Sequence, residues 1–177
     1  MCEEKVDTRI WFGDIHAHTA VSDGLGTPDD LYQNARFTAL SDFGAVTDHN
    51  HRENASISGP LNRFISSESW KEIIETGESW DKEGEFVTLP GVEEAMSGTG
   101  HRNIYYPEPP DKLLQGASIK ELYEYLDTYA PDAVVIPHHT LEICKSTDYD
   151  PRYVSLIEIY SMWGSSEERY GIFWSKN

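Results

Sequence analysis

The stretch Arg9-Ile-Trp-Phe-Gly-Asp-Ile-His-Ala-His-Thr-Ala-Val-Ser-Asp-Gly24 decides how this chain is organised. Its first half is apolar and aromatic, and it predicts a buried β-strand that ends at about Ile15. Because side chains alternate along a strand, His16 and His18 share one face, roughly 7 Å apart, where two imidazoles can share one metal ion. The turn that follows can bring the Asp23 carboxylate back to the same place.

The other histidines occupy similar positions. All seven lie in four short clusters: His16 with His18, His49 with His51, His101 alone, and His138 with His139. Three of the clusters directly follow an apolar run that predicts a strand, and the fourth, His101, directly precedes one. Scattered surface histidines would show no such preference. We therefore expect the clusters to converge on one site from several strand ends.

The composition indicates a globular domain and argues against a nucleic-acid-binding or disulfide-rich protein. The 177 residues suit a single domain, residues 1–177, and 38% hydrophobic with 25% charged residues is typical of a globular protein. Fourteen basic against 31 acidic residues give a net charge of −17, which repels a nucleic-acid backbone. The two cysteines, Cys2 and Cys144, predict neither a disulfide framework nor a zinc knuckle.

No run in the sequence is long and apolar enough to span a membrane, and residues 1–7 lack the apolar core of a signal peptide. We therefore expect a cytoplasmic protein without a membrane partner. Export stays open if a signal was removed from a longer precursor.

Helices and strands are predicted to alternate, which favours parallel strands covered by helices. The three helices are predicted from Thr27 to about Ala39, from Ser66 or Ser67 to about Lys82, and from Ser118 to Ala130. The six strands are predicted at residues 10–15, 43–48, 86–89, 102–106, 133–136 and 154–159. The aromatic residues at positions 11, 70, 80, 125 and 129 are expected in the core, and the long connection over residues 50–65 favours a functional loop or lid.

The residues alone supply a set of candidate metal ligands: His16, His18, Asp23, Asp48, His49, Glu93, His101, His138 and His139. Imidazole and carboxylate donors suit Zn, Mn or Fe, and they are too many for one ion. A carboxylate such as Glu93 can bridge two metals, which is the arrangement that activates water and binds a phosphoryl group.

Several of these residues have a simpler alternative. Asp23 can be a solvated turn residue, and Asp48 can be a partner that orients an imidazole rather than a ligand. Glu94 and Glu158 are expected to be structural. Four further residues can bind a phosphate or lie on the surface: His51, Arg52, Arg102 and Asn103.

Five motifs in sequence order resemble those of the polymerase and histidinol phosphatase (PHP) superfamily of metal-dependent phosphoesterases. The motifs are Asp14-Ile-His-Ala-His-Thr-Ala-Val-Ser-Asp-Gly24, Ala45-Val-Thr-Asp-His-Asn50, Gly91-Val-Glu93, Gly100-His101 and Val135-Ile-Pro-His-His139. The resemblance implies a distorted (β/α)7 barrel that typically holds three divalent metal ions, and we expect two or three in this chain. It implies that His16 and His18 bind the first metal, Glu93 bridges two metals, His101 and His138 bind the second, and Asp23 and His49 bind the third.

The chain departs from the family pattern in two places. The family closes its barrel with a Gly-x-Asp-x-His type motif, whereas residues 160–177 contain neither Asp nor His. The family also has His-Pro where this chain has His138-His139, so which of the two ligates stays open. We therefore expect a barrel that is incomplete at its C-terminus, from a natural truncation or a fragment of a longer domain. An unpaired edge near Leu156 and Ile157 then favours a homo-oligomer.

The sequence thus predicts a metal-dependent phosphoesterase acting on a small phosphorylated substrate, with Glu93, His138 and Arg102 as catalytic residues. A second hypothesis is a non-catalytic metal-binding remnant. A third is a hydrolase of non-phosphate esters or amides on the same barrel.

Overall fold

The computed structural model describes residues 9–50, 65–96, 100–114, 118–138, 148–161 and 164–165, which form a mixed α/β fold. The helices are α1 (Pro28–Phe37), α2 (Ser67–Trp80) and α3 (Ile119–Tyr129). The strands are β1 (Gly13–Asp14), β2 (Phe43–Gly44), β3 (His49–Asn50), β4 (Val87–Thr88), β5 (Gly91–Met96), β6 (Gly100–Tyr105), β7 (Val134–His138), β8 (Tyr160–Ser161) and β9 (Gly164–Ser165).

The three predicted helices are confirmed. Each begins at a capping residue that can be recognised in the sequence. Thr27, Ser66 and Ser118 each accept a hydrogen bond from the backbone N–H three residues on, and each helix has a reciprocal capping box. The helices end one or two residues earlier than predicted. Among the described residues, no helix combines the length and apolar character that crossing a bilayer requires.

The strands pair in two main sheets, β1-β2-β4 and β3-β5-β6-β7. The first is parallel as predicted, but β6 runs antiparallel to both β5 and β7. Only three residues separate β5 from β6, which is too short for the crossover that a parallel pair needs. The prediction of parallel pairing throughout is therefore wrong for β6.

The first strand is shorter and more exposed than predicted. Ile10, Trp11 and Phe12 are each more than half exposed, and only residues 13–14 pair in β1. The predicted sixth strand is also wrong, since residues 154–159 have no strand pairing and β8 begins only at Tyr160. Both errors have one cause: apolar composition indicates a strand without showing whether a partner covers it.

The main core lies between the helices and the face of the sheets opposite the histidines. Trp70, Ile73, Leu122 and Leu126 from the helices pack there. Tyr129 was predicted in this core but is two-thirds exposed. The described residues form no closed barrel, so the predicted (β/α)7 closure is not observed; the long loop predicted over residues 50–65 falls almost wholly outside them.

The exposed apolar side chains within residues 156–160 favour self-association of the chain. Leu156 and Ile157 are 55% and 53% exposed, and burying them against a second copy of the chain would remove that surface from water. The net charge of −17 opposes self-association, so association is expected to strengthen with salt. Sedimentation velocity over a range of protein and salt concentrations should show a dimer that Leu156→Asp weakens.

The matched control is Leu40→Asp, because Leu40 is also exposed and belongs to a different segment, the connection between α1 and β2. It should leave the sedimentation profile unchanged. A strictly monomeric wild-type protein at every concentration would rule out the homo-oligomer.

Candidate metal centre

Five histidines and four carboxylates line one open cavity of about 750 Å³. The cavity-lining residues are Asp14, His16, Ala17, His18, Asp23, Gly24, His49, Glu93, His101, His138, Glu158, Tyr160 and Ser161. The histidine clusters therefore converge, as the sequence predicts. His101 precedes its strand while the others follow theirs because β6 runs opposite to β5 and β7, so its first residues lie beside the ends of its neighbours.

The centre of the site is the carboxylate of Glu93, which is 1% exposed. Its Oε1 contacts His101 Nδ1, and its Oε2 lies 2.7 Å from His18 Nε2 and 3.2 Å from His16 Nε2. His49 Nδ1 lies 3.5 Å from the same Oε2. Four imidazoles from three separate parts of the chain thus surround one buried acid.

Strand geometry explains why Glu93 and not Glu94 faces the cavity. Neighbouring residues on β5 point to opposite faces. Glu94 therefore lies on the far face, where its Oε2 accepts a hydrogen bond from Asn50 Nδ2 at 2.7 Å. The register of β3 against β5 pairs His49 with Glu93, and so brings that imidazole to the same side. Glu94 is structural, as predicted.

Two carboxylates on the outside of the cluster each contact two histidines. Asp23 lies 2.7 Å from His18 Nδ1 and 3.5 Å from His49 Nε2. Glu158 lies 2.5 Å from His16 Nδ1 and 2.5 Å from His138 Nδ1. Glu158 was expected to be structural, but it lines the cavity. The signal that was overlooked is a charged residue inside the otherwise apolar run Leu156–Ile159.

The donors fall into two groups that could each hold a metal ion. One consists of His16, Glu93 and His138, and the other of His18, His49 and Glu93; within each group the ligand atoms lie within 4.8 Å of one another. This grouping differs from the one that the family resemblance implies, in which His16 and His18 bind the same metal ion. Glu93 belongs to both groups, so it is placed to bridge two ions.

Asp48 holds the turn that carries Asp23. Its buried carboxylate accepts hydrogen bonds from the backbone N–H and the hydroxyl of Thr19, at 2.8 and 2.6 Å, and from both groups of Ser22, at 3.1 and 2.5 Å. It therefore orients the turn rather than an imidazole, which refines the expected role. The turn also needs Gly24, since a Cβ there would lie 2.1 Å from the carbonyl oxygen of His18.

Arg102 lies outside the cavity. It is adjacent to His101 on β6, so its side chain points to the opposite face; it is 0% exposed and donates to the Gly100 carbonyl oxygen at 3.3 Å. The expected phosphate contact and catalytic role of Arg102 therefore do not fit the structure. Asn103 is not among the residues that line the cavity, and its side-chain amide donates a hydrogen bond to the Glu158 carboxylate. His51, Arg52 and His139 lie outside the described residues.

The electrostatics of the cluster favour bound positive charge. Burial lowers the pKa of His16, but its hydrogen bonds to Glu158 and Glu93 outweigh burial and raise the pKa to about 9. Burial raises the pKa of Glu158, yet the hydrogen bonds from His138 and His16 bring it down to about 2. The pKa of Glu93 is likewise held well below its usual value, against burial, by His101, His16 and His18. In the metal-free protein, a proton on His16 therefore offsets part of the negative charge of Glu93 and Glu158.

The comparisons with known proteins support the fold. The chain matches no family model. A crystal structure from Bifidobacterium adolescentis, whose assignment as a metal-dependent phosphoesterase is itself a prediction, is similar with a TM-score of 0.52 at 13% identity, covering 84% of this chain and 77% of that one. At this identity the similarity shows a shared fold and nothing further.

Two other similar proteins are much longer than this chain. A two-domain protein from Bacteroides vulgatus, containing a predicted PHP-like metal-dependent phosphoesterase, has a TM-score of 0.48 at 20% identity over 73% of this chain. An uncharacterized protein from Chlamydia pneumoniae is 28% identical over an alignment of 113 positions that covers 58% of this chain. The chain spans 35% of the first and 18% of the second.

Metal binding is expected to release protons. His16, with a pKa of about 9, is protonated near neutral pH, and an ion has to displace that proton to reach the ring nitrogen. Affinity should therefore rise with pH up to about 9. Calorimetric titration with Mn²⁺ or Zn²⁺, in buffers of different ionisation enthalpy, should give a buffer-dependent heat. A heat that is the same in every buffer would contradict the charge balance described above.

Replacing Asp48 tests the support of the turn. In Asp48→Asn one acceptor oxygen becomes an amide nitrogen, so either the Thr19 hydroxyl at Oδ2 or the Ser22 and Thr19 donors at Oδ1 lose their acceptor. We expect a loss of about 1–3 kcal/mol in the free energy of unfolding, measured with urea. Asp132→Asn, at an exposed position, is the control and should change little. Equal unfolding midpoints for the two variants would show that Asp48 does not support the turn.

Proposed function

We propose that the chain is a metal-dependent hydrolase that cleaves a phosphoester, and that Glu93 would be a ligand common to two divalent ions. His16, Glu93 and His138 would hold one ion, and His18, His49 and Glu93 the other, with His101 and Asp23 beside them. The donor set is imidazole and carboxylate without thiolate, which fits Zn, Mn or Fe.

One observation carries the proposal: a carboxylate that is 1% exposed is contacted by four histidines. A purely structural buried acid is satisfied by a few backbone or side-chain donors, as Asp48 is by Thr19 and Ser22. Five imidazoles in contact with three carboxylates exceed that need, and they line an open cavity instead of a sealed core. Such a cluster is typical of a metal centre.

The ions would supply a Lewis acid that lowers the pKa of water and neutralises charge on a phosphoryl group. The residues of the chain orient the site. Asp23 Oδ1 accepts from His18 Nδ1, which directs His18 Nε2 to Glu93, and Glu158 acts on His16 in the same way. Arg102 has no part in this proposal because its side chain lies on the other face of β6.

The phosphoester substrate follows from charge. The described residues that line the cavity include no Lys or Arg, so an anionic group would be attracted by the ions and not by the side chains. The open cavity has room for a small phosphorylated molecule, and the surface charge of −17 disfavours nucleic acid. The shared fold with a predicted phosphoesterase is consistent with this choice.

The test compares two neighbouring acids. Wild-type protein loaded with Mn²⁺, Zn²⁺ or Fe²⁺ is assayed on a nitrophenyl phosphate panel, a nitrophenyl carboxylic ester and a nitroanilide. Glu93→Gln is expected to lower turnover by at least about 100-fold, because it changes a shared ligand and not merely a supporting residue. Glu94→Gln, one residue along and on the opposite face, should retain turnover.

Each result has a distinct meaning. Turnover of the ester or anilide in preference to phosphates would replace the substrate class and keep the metal site. Tight metal binding without turnover of any substrate would favour the non-catalytic alternative. Turnover that chelators leave unchanged, or that survives Glu93→Gln, would refute the proposal.

A further inference from the structure

The carboxylate of Glu158 joins two histidines from different parts of the chain. Its Oε2 lies 2.5 Å from His16 Nδ1, after β1, and its Oε1 lies 2.5 Å from His138 Nδ1, at the end of β7. The two rings are adjacent and nearly perpendicular, with centroids 4.3 Å apart and an interplanar angle of 87°. One carboxylate thus contacts both imidazoles of a single ion position.

Glu158 is itself held in place. Its backbone N–H donates to the carbonyl oxygen of Pro137 at 3.2 Å, next to His138 in sequence. Asn103 Nδ2 donates to Glu158 Oε2 at 3.4 Å, and Asn103 lies on the same face of β6 as His101. The carboxylate is therefore tied to β6 and β7, and only 15% of the side chain is exposed.

The contact at Nδ1 determines which atom of His16 faces the centre. Its other ring nitrogen, Nε2, lies 3.2 Å from Glu93 Oε2. A carboxylate that accepts the Nδ1 proton fixes the tautomer and the orientation of a metal-binding imidazole. Asp23 stands in the same relation to His18, whose Nδ1 is 2.7 Å from Asp23 Oδ1 and whose Nε2 is 2.7 Å from Glu93 Oε2.

We propose that Glu158 is a positioning residue for one ion only, the ion of the His16, Glu93 and His138 group. It holds both rings by Nδ1, so that the ligand atoms are in place before the ion arrives. The second ion position, of His18 and His49, has its own outer carboxylate in Asp23 and does not depend on Glu158. This inference rests on the metal centre of the proposed function.

The test measures the two ions separately. Wild-type protein and Glu158→Gln are titrated with Co²⁺, whose visible spectrum reports ligand geometry, and binding is followed by absorption and calorimetry. A glutamine offers one acceptor oxygen where two are needed, so one of the two Co²⁺ ions should bind roughly 10- to 100-fold more weakly. The other ion should keep its affinity and its spectrum.

Two further variants separate positioning from a structural effect. Glu158→Asp keeps the carboxylate and should recover part of the lost affinity, which a merely structural role would not require. Glu94→Gln also removes a buried carboxylate on the far face of β5, and it should bind both ions as the wild type does. Circular dichroism of the metal-free proteins checks that each variant is folded.

The outcomes distinguish this inference from the proposed function. Equal binding of both ions by folded Glu158→Gln and wild-type protein would overturn it, even if the wild type hydrolyses phosphoesters. Selective loss of one ion would support it, even if no phosphoester is turned over. Wild-type protein that binds no Co²⁺ would overturn both. If Glu158→Gln does not fold, Asn103→Ala replaces it; a smaller loss at the same ion supports the inference, and unchanged binding overturns it.

Discussion

The arrangement of the structure depends on the buried carboxylate of Glu93, whose negative charge has to be compensated by its surroundings. A negative charge that is 1% exposed is costly unless positive charge or hydrogen-bond donors surround it. Here imidazoles that follow β1 and lie at the start of β3 and of β6 surround it, and two of them, His16 and His101, hydrogen-bond to it. The short parallel pairs and the antiparallel β6 can be understood as the means of bringing these segments to one point.

Further carboxylates lie around Glu93, some in contact with the histidines and one farther from them. Asp23 and Glu158 contact the histidines from outside, so each ion position has an acid at its centre and another at its rim. Asp48 lies further out and holds the turn that carries Asp23. With this arrangement the site is organised by hydrogen bonds before any ion binds, which lowers the cost of ordering the ligands.

The sequence predicted local features better than those that depend on distant contacts. Helix starts at Thr27, Ser66 and Ser118 were predictable because a cap and its partner lie within one turn. The convergence of histidines was predictable because strand ends meet at one edge of a sheet. The exposure of Trp11 and the place of Glu158 were missed, since each depends on contacts far away in the sequence. The orientation of Arg102 was missed although it is local, because it follows from the alternation of side chains on β6 once His101 faces the cavity.

The most direct test of the account is to locate the ions. Anomalous diffraction at the Mn or Zn absorption edge, on crystals grown with the metal, should show two peaks on either side of the Glu93 carboxylate, roughly 3.5 to 4 Å apart. One peak should lie beside His16 and His138 and the other beside His18 and His49. Ordered density for these side chains with no anomalous peak among them would contradict the central claim that Glu93 bridges a metal pair.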